Sequence, residues 1–86
     1  MPKIEIYKSD MSDEMQREAF QVALLAVNMY KEDNDIARYI KKEFDRKHGN
    51  TWQCIIGSSG YSVTHNPNSY IDFSVDDKKI TLFKTG

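Results

Sequence analysis

The chain has 86 residues, 40% of them hydrophobic and 29% charged, and its twelve basic residues face thirteen acidic ones for a net charge of -1. This length allows one domain, residues 1–86, and excludes two; the balance of apolar and charged residues excludes a disordered chain, and the lack of a basic excess argues against a nucleic-acid partner. Cys54 is the only cysteine, which excludes an internal disulfide and a zinc site built on several thiolates.

No run of about 18 apolar residues occurs, and Met1-Pro2-Lys3-Ile4-Glu5-Ile6 lacks the apolar core of a signal peptide. No membrane partner is expected, and a reducing, cytosolic setting fits best. A domain of this size hides only about 60–65% of the surface of its unfolded chain, so oligomerisation would add a margin that the monomer lacks.

Lys3-Ile4-Glu5-Ile6-Tyr7-Lys8 alternates apolar and polar residues, which predicts a half-buried strand with Ile4 and Ile6 on one face. Ser9, Asp10 and Ser12 can each cap a following helix, and Asp13 and Glu14 suit its first turn. Met15, Ala19, Val22, Ala23, Ala26 and Tyr30 make one helical stripe, and Phe20, Leu24 and Val27 widen it. Lys31-Glu32-Asp33-Asn34 is a polar break, and Asn34 or Asp35 can cap a second helix with Ile36, Ile40 and Phe44 at every fourth position. Arg46, Lys47 and His48 suit its last turn, and Gly49 can close it in a left-handed conformation.

Beyond Gly49 the period becomes two. Thr51–Ile56, Tyr61–His65, Tyr70–Val75 and Lys79–Lys84 read as strands, separated by Gly57-Ser58-Ser59-Gly60, by Asn66-Pro67-Asn68 and by a turn at Asp76-Asp77. The order is strand, helix, helix and four strands (β-α-α-β-β-β-β). It predicts an α+β domain in which a two-helix hairpin packs on one antiparallel sheet.

Residues able to do chemistry are sparse. Cys54 with His48 or His65 has no orienting acid or oxyanion hole nearby, so the thiol reads as a core residue. Asp33-Asn34-Asp35 resembles the start of a calcium loop, but counting from Asp33 puts Arg38 at the glycine position and Phe44 at the bidentate glutamate position. Asp72 and Ser74, with Asp76 and Asp77, fit a solvated sheet face better than a cation site. Gly57-Ser58-Ser59-Gly60 lacks the Lys-Ser/Thr of a phosphate loop. No catalytic residue, metal or cofactor is expected.

The pieces Asp10-Met11-Ser12-Asp13-Glu14-Met15-Gln16, Ile40-Lys41-Lys42-Glu43-Phe44-Asp45, Thr51-Trp52-Gln53-Cys54-Ile55-Ile56-Gly57, Val63-Thr64-His65 and Leu82-Phe83-Lys84-Thr85-Gly86 stand in an order and spacing that resembles the small dynein light chain family. The resemblance covers nearly the whole chain. It implies a non-enzymatic, strand-exchanged homodimer in the cytoplasm, associated with the dynein motor and microtubules. It further implies two symmetric grooves in which disordered partner segments, the dynein intermediate chain among them, add as extra strands. By that resemblance Tyr61-Ser62-Val63-Thr64-His65 is the strand that crosses to the partner subunit. The peptide groove would involve Ser62, Val63, Thr64, His65, Asp72, Ser74, Asp33 and Asn34, and the dimer interface Gln53, Tyr61, Ser62 and Val63.

The chain departs from the family's pattern at several of these positions. Ser62, Asp72, Ser74 and Asn34 stand where the family has aromatic residues and a lysine, so selectivity is expected to differ. Asp72 with Glu32 and Asp33 gives the groove an acidic character, which would favour segments carrying Lys or Arg. Gln53 replaces a titratable histidine whose protonation splits the family's dimer, so that acid switch is expected to be absent. The drift also resembles the light-chain-like domain of fluke tegumental calcium-binding proteins, in which the domain would serve dimerisation without capturing peptides. A free-standing light chain is the favoured expectation.

Overall fold

The structure, a computed structural model, describes residues 3–49, 51–57 and 68–85. Its elements are β1 (Ile4–Ser9), α1 (Asp13–Met29), α2 (Asp33–His48), β2 (Trp52–Ile56), β3 (Tyr70–Val75) and β4 (Lys78–Lys84). The α+β arrangement expected from the sequence is observed. The strand expected at Tyr61–His65 lies outside the described residues.

The helices begin and end for local reasons. Ser12 caps α1 by accepting the Met15 N–H on its hydroxyl at 3.2 Å, and Asp13 and Glu14 occupy the first turn. Asp10, a rival cap in the sequence, instead accepts the backbone N–H groups of Tyr70 at 2.8 Å and Asn68 at 3.2 Å, and its own N–H donates to the Tyr70 carbonyl. It fastens the exit of β1 to the start of β3.

α2 starts earlier than Asn34 or Asp35 would have set it. Glu32 is the N-cap, without a side-chain capping bond; its carbonyl accepts from the N–H groups of Asp35 and Ile36, both at 3.1 Å. Two neighbouring acidic residues, Asp33 and Asp35, lie in the first turn, where the helix dipole favours them. Gly49 ends the helix with φ of +81° but an extended ψ of 170°, so the conformation is one suited to glycine without being the left-handed helical one.

The sheet is antiparallel with strand order β1-β3-β4-β2. β3 and β4 form a hairpin whose Val75–Lys78 pair encloses Asp76 and Asp77, and Asp76 takes a φ of +54°. Both helices cover one face. Ala19, Val22, Ala23 and Ala26 of α1 and Ile36, Ile40 and Phe44 of α2 are buried with Trp52, Ile71, Phe73, Val75, Ile80 and Leu82 of the strands. Phe20 meets Phe73 edge-on at 5.4 Å between ring centroids, and Phe44 meets Trp52 at 4.9 Å. The small alanines of α1 let the two helices approach closely, while the larger residues of α2 fill the space above β2.

β1 departs from simple alternation. Its register against β3 slips between Ile6 and Lys8, which makes Tyr7 the extra residue of a bulge. Ile6, expected to be buried beside Ile4, is 47% exposed at this outer edge of the sheet.

Candidate functional site

The predicted site residues fall in three places. Tyr61, Ser62, Val63, Thr64 and His65 lie outside the described residues. Asp33 and Asn34 open α2 and are exposed, whereas Gln53, Asp72 and Ser74 share the sheet face turned away from the helices.

That face is less solvated than its sequence suggested. Alternation sends Tyr70, Asp72 and Ser74 of β3 and Lys79, Thr81 and Phe83 of β4 to it, and register pairs them across the hairpin as Tyr70–Phe83, Asp72–Thr81 and Ser74–Lys79. Tyr70, Phe83 and Thr81 are buried, and Ser74 is only 3% exposed, so Ser74 is not the solvated residue expected. At Ser74 the bulged residue contributes: the Tyr7 hydroxyl donates to Ser74 Oγ at 3.3 Å, while the Lys79 ammonium sits 5.8 Å from the Tyr7 ring centroid. Asp72 accepts from the Thr81 hydroxyl at 3.3 Å. Burial, and then the charge of Asp72, push the Tyr70 phenol above its ordinary range.

The acidic character expected from Asp72, Glu32 and Asp33 is counterbalanced. Lys78, at the start of β4, donates to Asp33 Oδ1 at 2.7 Å, and Lys8 stands opposite Asp72 across the β1–β3 ladder. Nothing in the local sequence around Asp33 pointed to a partner 45 residues away. Tyr7 and Lys78 are therefore the residues that sequence reasoning missed at this face; a bulge and a long-range ion pair leave no periodic signature.

β2 is the outer strand of the sheet on the side opposite β1. Among the described residues it pairs with β4 alone, through Trp52–Lys84, Gln53–Phe83, Cys54–Leu82, Ile55–Thr81 and Ile56–Ile80, and its ladder runs without a bulge. Trp52 anchors it beneath α2. Asp45 of that helix accepts the Trp52 N–H at 2.8 Å and the Lys41 ammonium at 2.6 Å. Partial burial opposes ionisation of Asp45, but these two donors outweigh it and hold the carboxyl below its ordinary range. Among the described residues the strand therefore has no neighbour on its outer side, and Trp52 and Asp45 hold it to α2.

Thiol chemistry at this strand is unfavourable: desolvation pushes the Cys54 thiol up to about 12, which leaves little thiolate at neutral pH. His48, the described candidate base, is engaged elsewhere. Its Nε2 meets the Glu18 carboxylate, and its ring packs against Phe44 and Trp52 at centroid distances of 5.2 and 6.1 Å. Among the described residues no cluster of three or more His, Cys, Asp or Glu is placed to hold a metal ion, and no helix is long and apolar enough to cross a membrane. A depression of about 340 Å³ lined by Tyr30, Asp35, Arg38, Tyr39, Lys42 and Glu43 contains none of the predicted residues.

Similarity to known proteins bears on this geometry. The family model described as dynein light chain type 1 matches residues 3–85. A protein of Schistosoma mansoni named dynein light chain is 45% identical over 85 residues, covering 98% of this chain and 96% of that protein. A protein of Emericella nidulans named dynein light chain, cytoplasmic, is 45% identical over 82 residues, covering 94% and 87%. Among solved structures, the dynein light chain-like domain of the Fasciola hepatica calcium binding protein FhCaBP2 superposes with a TM-score of 0.83 at 28% identity, covering 99% of this chain and 93% of that one. The match spans both helices and every described strand, and on that ground the chain belongs to the dynein light chain type 1 family.

Proposed function

We propose that this protein is a non-enzymatic, dimeric adaptor of the cytoplasm, associated with the dynein motor, that captures extended segments of partner proteins by strand addition. The observation that carries this reading is β2: an unbulged strand, Trp52-Gln53-Cys54-Ile55-Ile56, with no charged residue and no neighbour on one side among the described residues. Such an edge is a template for another strand, and a protein that keeps it in its native state has a use for it. In the adaptor, the edge is completed by a strand of the second subunit, for which Tyr61-Ser62-Val63-Thr64-His65 is the candidate. The captured segment then extends the composite sheet. Main-chain hydrogen bonds supply affinity, and side chains at Asp33, Asn34, Asp72 and Ser74 tune selectivity. The motor association and cytoplasmic location rest on family membership and on the names of the two relatives at 45% identity.

A second reading is a dimerisation domain that has lost peptide capture. It is favoured by Ser74, which spends its hydroxyl on Tyr7, and by the likeness to a domain of a fluke calcium binding protein. One measurement tests both readings and a second separates them. Sedimentation at micromolar concentration should give twice the 10.0 kDa chain mass under both; a monomer throughout overturns both. Calorimetry with extended peptides selected from a display library should then show saturable binding of one segment per subunit for the adaptor and none for the dimerisation domain.

A further inference from the structure

Three elements converge where β2 ends. Gly57 follows the strand with a φ of +98° and donates its N–H to the Lys79 carbonyl at 2.9 Å. α2 places Asp33 beside it, so that a Cβ on Gly57 would lie 3.7 Å from Asp33 Oδ2. β4 brings Lys78, whose ammonium holds the other oxygen, Oδ1, at 2.7 Å. One carboxylate oxygen thus faces the end of the open strand while its twin is tied to a lysine. The hydrogen bond to Asp33 raises the Lys78 pKa, and the charges of Asp33, Asp77 and Glu32 add to it. Lys78 is the cation inserted among these carboxylates.

A segment that adds along β2 would run beside Trp52–Ile56 and come level, at Gly57, with the free oxygen of Asp33, behind which Lys78 stands. We propose that Lys78 is a specificity-determining residue: by neutralising Asp33 at the end of the open edge, it keeps the protein from selecting basic segments and leaves neutral, polar ones acceptable. This rests on the capture of extended segments proposed above. Lys78 touches the segment's choice through Asp33, so the two side chains act as a unit, and removing either exposes the charge of the other.

The test uses a segment selected by peptide display on the unaltered protein, with a single Lys, Glu or Ala placed at each position in turn. Binding of the series is measured for the unaltered protein, Lys78→Met, Asp33→Asn and the double variant, with thermal melts to verify folding. Lys78→Met should raise the affinity ratio of at least one Lys peptide to its Ala counterpart by about threefold, the scale of one partly exposed ion pair, and salt should erase the gain. Asp33→Asn should shift preference toward Glu peptides, and the double variant should return to the unaltered pattern. Unchanged ratios in both single variants, with segments still bound, overturn the role of Lys78 alone. Failure of display to yield any binder overturns the capture reading, and this inference with it.

Discussion

The two edges of the sheet are built in opposite ways. β1 carries a bulge at Tyr7, lysines at Lys3 and Lys8 on or beside the strand, and an ion pair between Lys3 and Glu5 at 3.0 Å. β2 is straight in register and reads Trp-Gln-Cys-Ile-Ile, without a charge. Bulges and lysines are the devices by which sheet edges avoid unwanted pairing. Among the described residues, one edge therefore carries the devices that oppose further pairing and the other carries neither a bulge nor a charge, which is the contrast that the proposed strand addition uses. Tyr7 also links the two features: the bulge that blunts β1 is what turns its hydroxyl onto Ser74.

The largest way to break this contrast is to remove the support of the open edge. Trp52 is buried against Phe44, so Trp52→Ala should cost about 3–5 kcal/mol in urea denaturation at fixed protein concentration. Trp52→Phe should cost much less, because the indole Nε1 has no hydrogen-bond partner among the described residues.

Making β2 resemble β1 is the next test. Ile55→Lys places a charge in the middle of the open strand and should weaken the proposed dimer by about tenfold or more in sedimentation, with little effect on monomer helicity. An unchanged dimer would mean that association uses a different surface.

Two smaller effects sharpen the description of each edge. Asp45→Asn at the β2 side should lower stability by about 1–2 kcal/mol at neutral pH, since it removes a charge-assisted acceptor from Lys41 and Trp52. The sign with pH follows from the lowered carboxyl: the contribution of Asp45 is fully present above its ordinary unfolded value near 3.8 and is lost as pH falls through the lower folded value. Denaturation curves of Asp45→Asn and the unaltered protein should therefore converge in strong acid. At the β1 side, Tyr7→Phe should cost about 1 kcal/mol through the bond to Ser74.

The smallest expected effect is none. Gln53 lies on β2 opposite Phe83, on the sheet face away from the helices, and carries no titratable group. Sedimentation from pH 7 to pH 5 should leave the proposed dimer intact, whereas Gln53→His should make it sensitive to acid. Dissociation of the unaltered protein near pH 6 would point to a histidine elsewhere.

The sequence by itself determined the parts that local physics controls. The stripe Ala19, Val22, Ala23 and Ala26, the fourfold spacing of Ile36, Ile40 and Phe44, and the turn at Asp76-Asp77 are set within a few residues of chain, and each appears where its period or turn chemistry placed it. The family was legible too, because its short motifs stand at nearly fixed spacing over the whole chain. Tertiary structure decided what depends on distant partners. Asp10 became a clasp for Tyr70 instead of a cap, Glu32 started α2 ahead of Asn34, Ile6 stayed exposed at a bulged edge, and Ser74 was covered. Asp33 acquired Lys78, which offsets the acidic groove read from the sequence. Charge at a site is the sum over neighbours in space, and strand order, which alternation within one strand does not encode, is what made Lys78 and Asp33 neighbours.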